Sequence, residues 1–102
     1  MTEKVDTPKW DEALANMALQ EFRNQGRPLT MADFNYLADE YMFRLDDIMV
    51  TMFELVIHGE WKYTDAKGKV QKFTQATLDN LYVNRRLKQE DMDGFTGNWE
   101  PA

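Results

Sequence analysis

The stretch Leu37–Phe73, LADEYMFRLDDIMVTMFELVIHGEWKYTDAKGKVQKF, decides the fold. Its middle, Leu45 to Ile57, reads as a helix in which nine of thirteen residues are apolar. An excess of that size spreads past one stripe, the pattern of a helix covered on most sides. Gly59 follows as its C-cap. The period then changes from helical to alternating. Trp61-Lys62-Tyr63-Thr64 alternates apolar and polar side chains, Asp65-Ala66-Lys67-Gly68 is turn-like, and Lys69-Val70-Gln71-Lys72-Phe73 can return as a strand. On the N-terminal side, Tyr41-Met42-Phe43-Arg44 carries no breaker, but the apolar phase shifts there, which places a tight turn before Leu45.

Upstream of that turn, Thr30 offers a capping hydroxyl, with Leu29 and Phe34 at the two positions of a hydrophobic staple. Phe34, Leu37, Ala38 and Tyr41 follow i, i+3, i+4, i+7 and give a second helix of about three turns. Thr7 and Pro8 are expected to start helix one. Its stripe of Leu14, Ala15, Ala18, Leu19 and Phe22 runs to about Asn24, before Gly26, Arg27 and Pro28 stop it. Downstream, Phe73-Thr74 with Leu78 repeats the staple and cap and opens helix four, expected to continue through Leu81, Tyr82 and Leu87 to about Lys88. Residues 89–102, QEDMDGFTGNWEPA, hold two glycines, a proline and four acids, and read as a flexible acidic tail after a single domain of residues 1–88.

The order helix, helix, tight turn, helix, glycine, β-hairpin, helix resembles the winged helix-turn-helix superfamily over about two-thirds of the chain. In that superfamily a helix such as Phe34–Tyr41 braces a recognition helix, whose last turn ends at a glycine before the wing. Ile48, Met52 and Leu55 fall at the inward positions, and Gly59-Glu60-Trp61 at the start of the wing. The expected fold is mainly α and winged-helix-like: three helices plus a β-hairpin wing, then a fourth helix and an irregular acidic tail.

The resemblance implies DNA binding, but the residues of helix three argue against it. A DNA-reading helix carries Arg, Lys, Asn, Gln, Ser or Thr on its outward face. Here the outward positions are Arg44, Leu45, Asp46, Met49, Val50 and Phe53. Only Arg44 suits the major groove, and Asp46 and Asp47 would be repelled by phosphates. Two readings of Leu45, Met49, Val50 and Phe53 stand open. They form an interface for a protein partner or a second copy, making a homodimer, or helix three is the central core helix of a monomer.

Composition narrows the classes. The chain has 102 residues, 12.0 kDa and 43% hydrophobic residues, enough for one core. Mean hydropathy of -0.65 and the lack of an apolar run near 18 residues exclude a transmembrane helix. The polar start MTEKVDTPKW carries no secretion or lipidation signal, so a cytoplasmic location is expected. Without cysteine there is no disulfide, thiolate zinc site, iron–sulfur cluster or cysteine nucleophile. The single histidine, His58, leaves no multi-histidine metal site. Net charge of -6 opposes nonspecific nucleic-acid binding by the chain as a whole. That average hides a split: residues 1–57 carry five basic and eleven acidic side chains, residues 58–88 seven and three, and residues 89–102 none and four.

The basic segment offers candidate nucleic-acid contacts. Lys62, Lys67, Lys69 and Lys72, with Tyr63 between them, could track a phosphate backbone as wings do. The favoured alternative is that these lysines blunt an exposed edge strand. Arg85, Arg86 and Lys88 fall at the end of helix four, where cations complement the dipole. Asp91, Asp93, Gly94 and Glu100 partly copy a calcium loop, but Gln89 stands where it needs Asp and no exiting helix follows. The acid pairs Asp11/Glu12, Asp39/Glu40 and Asp46/Asp47 come with no sign of a cleft. No phosphate loop, dinucleotide fingerprint or zinc spacing appears. No catalytic residue, cofactor, metal or small-molecule substrate is therefore expected.

The expected function is a small non-enzymatic regulatory or adaptor protein. It binds a protein partner or itself through Leu45, Met49, Val50 and Phe53, and the resemblance implies a setting in transcription or nucleic-acid metabolism. One alternative is a DNA-binding winged-helix regulator that holds phosphates with Arg44, the wing lysines, Arg85 and Arg86. Another is an acidic decoy that occupies a nucleic-acid-binding protein.

Overall fold

The first two helices start where a side chain can satisfy orphan N–H groups. The computed structural model describes residues 10–83 and 86–102. In α1 (Glu12–Gln25), Asp11 Oδ1 accepts the N–H groups of Ala13 and Leu14 at 2.9 and 3.1 Å. Thr7 and Pro8, the expected start, lie outside the described residues. The helix ends at Gly26, whose φ of 69° lets its N–H reach the carbonyl of Phe22. In α2 (Met31–Tyr41) the Asp33 carboxylate reaches back to the Thr30 N–H at 2.8 Å. Leu29 and Phe34, the staple pair, are both fully buried.

The tight turn follows where expected. Met42 adopts the left-handed conformation at φ 61° and closes α2. After it comes α3 (Leu45–Ile57), closed by a Schellman motif in which the Gly59 N–H donates to Val56 and the Glu60 N–H to Leu55. The hairpin of β1 (Trp61–Thr64) and β2 (Val70–Gln71) is also present, turned by Asp65, which accepts the N–H groups of Lys67 and Lys69. With the helices dominant, the chain is mainly α with a small antiparallel sheet.

The second half departs from expectation in two places. Helix four does not run to Lys88: α4 (Gln75–Leu81) stops early and gives way to a second hairpin, β3 (Tyr82–Val83) and β4 (Arg86–Leu87). A continuous helix would put Leu87 nine residues past Leu78, about 180° round the axis and on the opposite face. Reversing the chain buries both, at 4% and 5% exposure.

The second correction concerns residues 89–102. Far from an irregular tail, they form a short helix α5 (Gln89–Asp93) and a strand β5 (Asn98–Pro101). β5 pairs antiparallel with β1, setting Trp99 opposite Tyr63, so the sheet order is β2-β1-β5. Trp99 is fully buried and Met92 nearly so. The domain therefore does not end at residue 88. What the acid, glycine and proline content hid is the pattern of three apolar anchors, Met92, Phe95 and Trp99, carried by that segment. Gly97 makes the approach possible, since a Cβ there would collide with the backbone of Thr64 and Asp65.

The core sits around α3, which touches α1, α2, α4 and β1. Among the described residues, no helix is long and apolar enough to cross a membrane.

Candidate functional site

Helix three does not present the expected interface. Met49 and Phe53 are 0% and 1% exposed, and Leu45 and Val50 are half-buried against the core. The Phe53 ring lies 5.0 Å from Phe73, 5.1 Å from Phe95 and 5.5 Å from Trp99, centroid to centroid. That aromatic cluster fills the face, and two of its members come from the segment read as a tail. Of the two open readings, the central core helix is the one found.

The charged candidates scatter. Asp46 does not meet solvent phosphates. Its Oδ2 accepts from Arg44 at 3.0 Å and from the Leu87 N–H at 3.3 Å, with Arg86 Nε at 3.7 Å. This carboxylate ties the second hairpin to the start of α3 and draws Arg44 and Arg86 together on itself. Arg86 is on β4, so it does not cap a helix; Arg85 lies outside the described residues. Lys62, Lys67, Lys69 and Lys72 are exposed on the first hairpin, Lys62 at 3.8 Å from Glu100. That hairpin follows the C-terminal end of α3, thirteen residues and about 20 Å of helix from Arg44. The basic candidates therefore do not converge on one surface. Asp91 and Asp93 lie on α5, while Glu100 is on β5 facing Lys62, so the calcium-loop pattern is divided between elements.

The exposed apolar surface is elsewhere. Six large hydrophobic side chains are exposed among the described residues, and four of them, Tyr36, Tyr41, Met42 and Phe43, fall within eight consecutive positions. Tyr41, Met42 and Phe43 crowd the end of α2 and the turn into α3, while Tyr36 lies in the middle of α2. Beside them runs a groove of ≈ 340 Å³ between α1 and α2. Its α1 wall comes from Ala13, Asn16, Met17, Gln20, Glu21 and Asn24, and its other wall from Leu37, Tyr41 and Phe43. Ala13 and Asn16 are small, which leaves room for a close approach. From Ala13 to Asn24 the wall is about 16 Å long, three helical turns.

Among the described residues, one charged residue, an acid, lines the groove. Glu21 lines it, and Glu40 sits one turn from Leu37 on α2. No basic residue occupies the last turn of α2, so the negative end of that helix stays uncompensated near Tyr41. Met42 stands at 89% exposure and is the one non-glycine residue with positive φ among the described residues. The sequence reading registers the phase shift at Tyr41–Arg44 only as a turn. Three large apolar residues at a break in the helical period are the signal that marks the corner.

Asp33, Asp65 and Tyr63, whose titration is shifted, are each held by partners within the fold. Asp33 is committed to Arg27, which grips it with both guanidinium nitrogens at 2.9 and 3.1 Å. Burial pushes this carboxyl upward, but hydrogen bonds from Arg27 and Thr30 outweigh it and hold it below the usual aspartate range. Asp65 is also held low, first by the N–H of Lys69 and then by the Gln71 amide. Burial raises the Tyr63 hydroxyl, which accepts the Gly97 N–H at 2.9 Å. All three groups are structural. His58 is exposed beside the Trp10 ring, and no cluster of three metal-binding side chains occurs among the described residues.

Comparison of the chain with protein-family models, with curated proteins and with solved structures finds no match.

Proposed function

We propose that this chain is a non-enzymatic adaptor that docks a cationic amphipathic helix of a partner protein in the α1–α2 groove. One observation carries the reading: Tyr41 and Phe43, two of the six exposed large hydrophobic side chains among the described residues, line that groove, and a third, Met42, lies between them in the chain. An amphipathic helix lays anchors at i, i+3 or i+4, and i+7 into a groove of this kind. A wall of three turns matches that repeat. Met17 and Met42 provide adaptable contact surface. Glu21, Glu40 and the uncompensated end of α2 favour lysine or arginine on the incoming helix. The partner-binding role first read onto α3 thus moves to α1 and α2, and a homodimer through α3 is not carried forward.

The order α1, α2, α3 and hairpin supports a winged-helix-like relationship, and with it a setting in transcription or nucleic-acid metabolism. DNA reading is not favoured, because Met49 and Phe53 of α3 are in the core and Arg44 is paired with Asp46.

The test uses a fluorescent fourteen-residue peptide with leucine and lysine in helical register. Anisotropy should rise on titration with the full chain, and amide resonances of Met17, Leu37, Tyr41 and Phe43 should shift. Phe43→Ser and Glu21→Lys should each weaken binding several-fold without unfolding the domain. Unchanged affinity in both variants, or shifts confined to other elements, would overturn the reading.

A further inference from the structure

The three-stranded sheet has one open edge. On its outer side β5 is closed by Leu29, which exchanges two 2.8 Å backbone hydrogen bonds with Trp99. β2 is the other outer strand, and among the described residues no backbone segment pairs with its far side. Such an edge can take an added strand through its main-chain groups.

Two features select the strand that fits. Val70 on β2 is 57% exposed, and beside it lies a groove of ≈ 250 Å³ with Val56, Ile57, Trp61 and Phe73 in its walls. An extended chain passing here can place an apolar side chain in that groove and point the alternate ones outward. The second feature is charge. Lys62 and Lys72 line the groove, and Lys67 and Lys69 are exposed in the adjoining turn. Among the described residues Lys67, Lys69 and Lys72 form no ion pair. The nearest carboxylate of the turn, Asp65, is occupied by the N–H groups of Lys67 and Lys69 and by the Gln71 amide. Like charge turns away a basic strand, including the same edge of a second copy, and opposite charge admits an acidic one.

We propose that the β2 edge is a second docking surface, which takes an extended acidic segment of a protein by strand addition. It is independent of the α1–α2 groove and of opposite charge, so the chain can bridge two partners, one cationic and helical, the other acidic and extended.

The experiment is a nuclear magnetic resonance titration of the full chain with three probes: an eight-residue peptide alternating Glu and Val, its Lys/Val counterpart, and a twelve-base-pair DNA duplex. The acidic peptide should shift the amides of Val70, Gln71 and Lys72 and slow their hydrogen exchange. The double variant Lys69→Glu, Lys72→Glu should weaken it about tenfold or more, because both positions are exposed and the fold does not use their charges. Phe43→Ser, which disables the α1–α2 groove, should leave this binding unchanged, so the two surfaces fail separately. Equal binding of the Lys/Val peptide overturns the proposal, as does silence at β2 up to millimolar peptide. A duplex that shifts the same amides at lower concentration than the acidic peptide overturns it in favour of wing-like phosphate contacts.

Discussion

Substituting Met42 with glycine should make the protein more stable and a poorer binder at once. Met42 ends α2 at φ 61°. For an L-residue the left-handed conformation costs about 1–2 kcal/mol. Its side chain is 89% exposed, so it returns almost no burial against that cost. Glycine adopts the same φ without strain but loses more backbone entropy on folding, about 0.5–1 kcal/mol. The difference leaves Met42→Gly more stable by about 0.5–1 kcal/mol, or about 2–8 °C in melting temperature for a domain of this size. Circular dichroism melts measure the first half of the claim, and anisotropy with the leucine–lysine peptide the second. A fall of more than about 4 °C would show that the Met42 side chain supports the fold and is not presented to a partner. Raised stability with unchanged peptide affinity would reduce Met42 to a helix stop and remove the corner from the docking surface.

The other predictions concern the fold that supports the site. Gly97→Ala should cost at least about 1–3 kcal/mol, since its Cβ would meet the backbone of Thr64 and Asp65. Gly59→Ala, where a Cβ has open space and only the φ of 79° is strained, should cost about 1 kcal/mol by the same denaturant titration. Phe53→Asp should unfold the domain as fully as Met52→Asp, because both side chains are at or below 1% exposure; a folded Phe53→Asp in circular dichroism would contradict the core placement. Trp99→Ala should lose about 3–5 kcal/mol through packing, its indole N–H having no hydrogen-bond partner among the described residues. Asp33 titrates lower in the folded chain than in the unfolded one, so its contribution is present above about pH 4 and disappears as pH falls through the depressed folded value. The stability gap between the parent and Asp33→Asn should therefore close on acidification from about pH 5; a gap that widens there would reverse the sign.

How much of this was legible depends on whether a signal was local. Thr30 with Leu29 and Phe34, and Gly59 after nine apolar residues in thirteen, are short-range patterns, and α2 and α3 stand where those patterns put them. The first hairpin follows from alternation over Trp61–Thr64. What failed was long-range. Nothing between Leu78 and Leu87 breaks a helix, and the stop after Leu81 is explained only by the burial of Leu87 and by Asp46 holding its N–H forty-one residues away in sequence. Composition hides β5 for a related reason: Asn98, Glu100 and Pro101 read as loop, yet all three pair with β1 on either side of the buried Trp99. Met49 and Phe53 read as exposed anchors from the sequence for the same reason. With Phe95 and Trp99 left in solvent, their face would lack a cover; with both packed in, the cover is complete.

That cover bears on the proposal that the α2–α3 corner is a docking site. A small chain short of apolar cover exposes side chains on faces it cannot reach, and α3, the most demanding surface here, is closed to 0% and 1% at Met49 and Phe53. The corner is a different kind of exposure. Position 42 needs only a residue that tolerates positive φ, and glycine or asparagine would end α2 there at lower cost. Local conformation thus argues against methionine, and burial gives nothing back at 89% exposure. Its neighbours Tyr41 and Phe43 reach into a groove whose α1 wall keeps small residues at Ala13 and Asn16. Where local preference and tertiary packing both oppose a residue, an interaction outside the folded chain is the hypothesis to test. At Met42 both oppose, which is why Met42→Gly is the substitution that tests the proposed docking corner.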